Sequence, residues 1–218
     1  MGRSQLSLRE VREMIVAVSR GMIASTDRLT QADKAIGDGD HGVGMARGFE
    51  SVIQKVVGQE FTSIGHLFKT VGTAILTSAG GAAGAVFGTL FRGAAENAGD
   101  RDVLTAALFS CMLFDGLRAV KDRGKAKAGD KTMIDALEPA TIESERWTSA
   151  PLDEALTAVA EAARLGMEKT REMVAATGKA KTLGERSLGH PDPGAVSMSL
   201  ILKFMADYAL SLYLLRSY

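Results

Sequence analysis

The sequence predicts an all-α protein, an antiparallel array of eight helices. Three observations lead there. Eight segments place apolar residues at helical spacing, no window sustains the period-2 alternation of β-branched residues that a sheet requires, and most connections are short enough to set consecutive helices side by side.

Each element has its own signal. Ser7-Leu-Arg-Glu10 fits a capping box, and Val11, Met14, Ile15, Val18 and Met22 continue a first helix to about Ser25. An acidic loop follows. A second helix from about Gly42 carries Phe49, Val52, Ile53 and Val56, and Gly58 ends it. Thr62 or Ser63 caps a third, with Ile64, Leu67, Val71, Ala74 and Ile75. The glycine-rich turn Ser78–Ala85 leads into a fourth with Val86, Phe87, Leu90 and Phe91. A polar link from Asn97 to Asp102 precedes a fifth, bearing Leu104, Leu108, Cys111, Met112 and Leu117 and ending in the basic segment Arg123–Lys131. The sixth starts near Thr132, and Pro139 is expected to limit or kink it. Ser149-Ala-Pro151 starts the seventh, with Leu152, Leu156, Val159, Ala163 and Met167. After the irregular stretch Gly178–Gly194, the eighth runs from Pro193 through Val196, Leu200, Ile201, Phe204 and Tyr208. Without repeats or low-complexity segments, residues 1–218 read as one domain.

Composition excludes several classes. With 26 basic and 26 acidic residues, the chain offers no electrostatic footprint for nucleic acid or an anionic membrane. The most apolar window, Ala195 to Leu215, is interrupted by Lys203 and Asp207 and reads as a core helix rather than a membrane span. The single Cys111 lies in an apolar run and is expected to be buried. The first residues lack a signal-peptide core, so the expected location is the cytoplasm.

In an up-and-down array the loops after helices one, three, five and seven share one end. They are the acidic stretch Asp33–Gly42, the glycine-rich turn, the Gly-Asp-Lys-Thr-Met segment and the His-Pro-Asp-Pro-Gly segment. Asp33, Asp38 and Asp40 crowd three carboxylates within eight residues. Such carboxylates either share a hard cation such as Mg²⁺ or form a polar capping turn. The spacing does not fit an EF-hand, since Ala35 and Gly37 fall where ligands belong. Gly80, Gly81 and Gly84 before a helix start suit either an anion or close helix packing, and the tail of a P-loop is missing. Lys179, Lys181 and Arg186 supply cations that either meet phosphate or are merely solvated. His41 either holds phosphate or caps a helix. His66 receives no role, and a structural hydrogen bond is the expectation for His190.

Together, Ile36–Gly42, Gly80–Gly84, Gly129–Ala136 and Leu183–Gly194 resemble the nucleotide-binding L subunit of dihydroxyacetone kinase, in order and over nearly the whole chain. The resemblance implies an eight-helix barrel with ADP or ATP at one end and phosphates held through two Mg²⁺. It implies Asp33, Asp38 and Asp40 as metal ligands, and His41, Gly42, Val43 and Gly44 beside the phosphates. Ala82 and Ala83 fall on the glycine-rich turn's nucleotide contacts, Gly124 and Met133 on the adenine site, and Asp192, Pro193 and Gly194 on the last nucleotide-binding loop. Some relatives have Ser at Ala83 and Arg at Lys179, so a hydroxyl and a planar fork are missing here. The implied activity is phosphoryl transfer to a short ketose held on a separate K-type subunit through a histidine adduct. The phosphoryl source is ATP or a phosphohistidine M subunit of the sugar phosphotransferase system. The same motifs also suit a non-catalytic module whose nucleotide state reports to a partner such as a transcription regulator.

Overall fold

A computed structural model describes residues 3–214. The order is β1 (Gln5–Ser7), α1 (Leu8–Ala24), α2 (Thr26–Ile36), α3 (His41–Val56), α4 (Ile64–Ser78), α5 (Gly81–Ala98), β2 (Val103–Thr105), α6 (Ala106–Gly124), α7 (Ile134–Arg146), α8 (Leu152–Lys169) and α9 (Pro193–Leu214). Two 3₁₀ segments, Thr170–Glu172 and Lys179–Ser187, lie between α8 and α9. The all-α class holds, with two additions.

The first is α2, which the sequence reading left as loop. Its inner stripe is only Leu29, Asp33 and Ile36, too sparse an apolar signal to stand out. The break between α1 and α2 lies at Ser25, where the Ser25 and Thr26 hydroxyls donate to the carbonyls of Gly21 and Ile23. The chain bends there rather than turning back, because α2 packs on α3 and α9, two neighbours of α1. The order of loops around the ends is therefore preserved. The second addition is an antiparallel ladder between β1 and β2 with Leu6 opposite Leu104, so Leu104 sits on a strand and not on the fifth predicted helix.

The remaining eight helices close a ring. Each of α3 to α9 packs on the next, and α1 packs on both α9 and α3. Their inward stripes form one core from Leu6 to Ala209, including the fully buried Phe49, Phe87, Met14 and Met45. The apolar α9 crosses this core and is largely buried there, as expected of a core helix.

Glycine sets the closest helix contacts. A Cβ at Gly88 would lie 2.7 Å from the Leu76 Cβ and 2.9 Å from the Gly72 carbonyl, so α4 and α5 approach to a distance only glycine permits. At α7 the helix runs through Pro139, so the proline does not end it. Pro139 cannot donate to the Asp135 carbonyl, and that carbonyl instead faces Gly166 of α8, whose missing side chain makes room for it. Cys111 also departs from expectation: it lies on the outward face of α6 with Phe114 and is exposed.

Candidate functional site

The four loops meet at one end of the ring and line a cavity of about 430 Å³. Such a volume suits a small-molecule ligand. A larger concavity of about 830 Å³ runs between Ser63, Lys69, Arg92 and Arg123. It is an open trench over α5 that gathers none of these loops.

Asp33 projects from the last turn of α2, and Asp38 and Asp40 from the short turn that follows. Each can bring one carboxylate oxygen within 4.8 Å of the others. The turn is tight at Gly37, where a Cβ would run into the Asp33 carboxylate. Asp33 also accepts the His41 backbone N–H at 3.1 Å, which fixes its orientation at the start of α3. Across the cavity mouth the Lys179 ammonium bonds Asp38 and lies 3.7 Å from Asp40. That bond, more than anything else, holds the Asp38 carboxyl below its ordinary range and pushes Lys179 up. Three carboxylates against one ammonium leave a net negative, all-oxygen donor set, the chemistry a hard divalent cation takes.

His41 is buried, and its Nε2 meets Ser197 Oγ at 2.7 Å, joining α3 to α9. Burial lowers its pKa, with Asp33 and Asp40 opposing, so the ring is held toward its neutral form. Gly44 lies on the wall close to the Ala79 carbonyl. Gly42 and Val43 are not on the wall. Gly42 turns toward Thr26 and Thr30, making the α2–α3 crossing possible, and the Val43 side chain is 51% exposed on the outer face of α3.

Gly80 and Gly81 take positive φ (76° and 59°) and deliver the chain into α5 with no side chain capping it. The first turn of α5 has no side-chain cap, and its residues Gly81, Ala82 and Ala83 line the cavity. At Gly84, meanwhile, a Cβ would lie 3.2 Å from the Ala79 Cβ, so the glycine permits close packing there. Arg47 of α3 was not foreseen; it braces the turn by donating to the Ala79 carbonyl at 3.1 Å and adds a cation to the wall.

The opposite wall is apolar: Val86, Phe87, Val120, Ala126, Met133 and Ile134, with Gly124 at the end of α6. Asp192, Pro193 and Gly194 complete it. The Asp192 carboxylate caps α9 by accepting the Ala195 N–H at 2.7 Å. The residue keeps some surface on the cavity, yet protein surrounds its carboxyl, and burial pushes its pKa to about 7. Lys181 and Arg186 are exposed and off the wall, and His66 meets Thr62 outside the cavity. For His190 the bond is made by its backbone carbonyl, which accepts from Lys131.

Lys131 is the other residue the sequence did not single out. It is 2% exposed, sits at φ 60°, and lines the cavity beside Thr132. Nothing in the local pattern marks a lysine as buried, since its partners lie 39 to 59 residues further along.

Known proteins share this sequence pattern and this fold. The DAK2 domain model matches residues 35–207. The chain is 41% identical over 191 residues to the PEP-dependent dihydroxyacetone kinase, ADP-binding subunit DhaL, of Escherichia coli, covering 85% of this chain and 90% of that protein. It is 39% identical to the corresponding subunit of kinase 1 from Listeria innocua, covering 84% and 87%. In fold it is similar to the dihydroxyacetone kinase of C. freundii (TM-score 0.72, 24% identity), spanning 95% of this chain but 35% of that one. The same kinase in complex with AMP-PNP and Mg²⁺ matches at a TM-score of 0.70. With the family model spanning most of the chain and relatives at this identity matched nearly end to end, the chain belongs to the DAK2 domain family.

Proposed function

We propose that this chain is the ADP- or ATP-binding subunit of a short-ketose kinase of the dihydroxyacetone type. The carrying observation is the joining of the Asp33–Asp38–Asp40 cluster and the α5 N-terminus on the wall of one cavity. Asp33, Asp38 and Asp40 would hold Mg²⁺, two ions on this reading. Bound there, Mg²⁺ supplies charge neutralisation for the nucleotide's phosphates. The chain's own part is positioning. The first N–H groups of α5 and the cations Lys179 and Arg47 offset phosphate charge, while Val120, Ala126 and Met133 give the base an apolar seat. His41, Gly44, Ala82, Ala83, Gly124, Asp192, Pro193 and Gly194 complete the nucleotide-facing wall. Gly42 acts by setting the path of α3 against α2, and Val43 is left outside the site.

The ketose is then held elsewhere, on a K-type subunit, and the reading places the reaction in the cytoplasm. The relatives' names, PEP-dependent and ADP-binding, support a phosphoenolpyruvate-dependent phosphoryl source. On this reading ADP stays on the subunit and a phosphohistidine M subunit recharges it.

Calorimetric titration of the purified chain with ADP, with and without Mg²⁺, tests the binding. Uptake that requires the metal and is abolished by a chelator is expected; no uptake in either condition overturns the proposal. Turnover of dihydroxyacetone is expected only after a K-type subunit is added. ADP that survives gel filtration supports the M-subunit route, and efficient turnover on free ATP refutes it.

A further inference from the structure

The segment between α8 and α9 is tied down at two places. At its tip, Lys179 bonds Asp38 of the acidic turn. At its base, the Lys131 Nζ donates to three carbonyls, those of Thr170 (2.5 Å), Met173 (3.1 Å) and His190 (2.6 Å). Thr170 and His190 stand at the segment's two ends, so one ammonium gathers both strands of the loop. Thr170 is also the C-cap of α8, where the helix dipole presents partial negative charge and a buried cation is well placed. Asp192 and Asp135 provide the nearby carboxylates, and Arg171 the opposing charge.

The turn carrying Lys131 is itself fixed. The Asp135 carboxylate accepts the Gly129 N–H at 2.6 Å and the Thr132 N–H at 2.7 Å, bracketing the residue at φ 60°. The Ala176 N–H then donates to the Asp130 carbonyl at 3.1 Å, continuing the tie toward the tip. Beyond Ala176, the contacts from Thr177 to Ala180 are with the cavity itself.

We infer that Lys131 is a positioning residue: with its ammonium engaged by three loop carbonyls, it clamps the base of the 170–190 loop, holds Lys179 over the acidic turn and so sets nucleotide affinity. This deepens the nucleotide-binding reading and rests on it. A lysine serving only the core would show its loss as general destabilisation. One acting through the loop must show it locally, and through Lys179.

The test has two arms. In nucleotide-free protein, Lys131→Met is expected to speed amide hydrogen exchange across residues 174–190 by about tenfold while α1, α4 and α5 keep their protection. Should K131M fail to fold, Lys131→Gly removes the same ammonium and suits the positive φ. In the second arm, MgADP affinity is measured for wild type, K131M, K179M and the double variant. Each single variant is expected to weaken binding about tenfold, and the pair to lose clearly less than the product of the two losses. Unchanged exchange in the loop, exchange rising evenly over the molecule, or losses that multiply would overturn the inference. A wild-type chain that takes up no MgADP sinks the nucleotide reading instead, and leaves the exchange arm to decide whether Lys131 clamps the loop.

Discussion

The Lys179 ammonium reaches across 141 residues of sequence to the Asp38 carboxylate. An internal cation thereby stands beside the carboxylates proposed to take magnesium. Neutralising one of those carboxylates tests whether the cluster binds through its charge. Asp38→Asn is expected to weaken Mg²⁺-dependent ADP binding at least tenfold in a calorimetric titration while leaving the far-ultraviolet circular dichroism unchanged. Undiminished affinity would remove Asp38 from the metal site.

Gly37 leaves no room beside Asp33 for a methyl group. Gly37→Ala must therefore displace that carboxylate or the turn. The expected result is a several-fold loss of Mn²⁺ affinity, read by electron paramagnetic resonance, with a melting temperature within a few degrees of wild type.

A methyl at Gly88 has nowhere to go between α4 and α5. Gly88→Ala is expected to cost roughly 1–3 kcal/mol by overpacking, even though alanine favours helix. Urea unfolding measures this directly. A stabilised variant would show that the two helices can move apart freely.

Ala83 stands on the cavity wall at the second residue after Gly81, partly buried. Ala83→Ser adds a donor at the α5 N-terminus, where the proposed function seats the phosphates. Tighter MgADP binding by about fivefold is expected, corresponding to about 1 kcal/mol for one added hydrogen bond. Equal or weaker binding would place the phosphates elsewhere.

Asp192 gives a pH signature. Its carboxyl titrates near 7 when folded and near its ordinary value of 3.8 when unfolded, so between those values the native state binds the extra proton. This group's contribution to stability is fully present below about pH 4 and is lost as pH rises toward 7, then stays flat. Asp192→Asn retains a side-chain oxygen to cap α9 and abolishes the titration. The wild-type minus variant stability difference, followed by urea midpoints from pH 4 to 8, should decline over that window. A constant difference would count against it.

The ring of long helices was legible because each buries a long stripe in which apolar residues outnumber the occasional polar one. Ser7 and Glu10 even announced their capping box, in which Ser7 N donates to Glu10 Oε2 at 2.9 Å. α2 escaped because its inner stripe is only three residues, Leu29, Asp33 and Ile36, and one of them is a carboxylate. The β1–β2 ladder escaped because three residues per strand are too few to show alternation. In the site, spacing marked the acidic turn and the glycines as candidates, with a capping turn and close helix packing as their other readings. Lys131 was not, because its burial is decided by carbonyls of a distant loop. Gly42 shows the converse: a glycine beside the acidic run that answers to Thr26 and Thr30 in helix packing.

α9 begins at the cavity with Pro193 and, at 22 residues, extends about 33 Å away from it. It runs antiparallel to α1, with the Tyr208 hydroxyl donating to Glu13 at 3.0 Å, so its far end lies beside the strand Gln5–Ser7. A tether or dye attached at the exposed Gln5 would thus sit at the pole remote from the four loops. Immobilised there on a sensor surface, the protein would present its mouth outward, open to small molecules and to a docking protein alike.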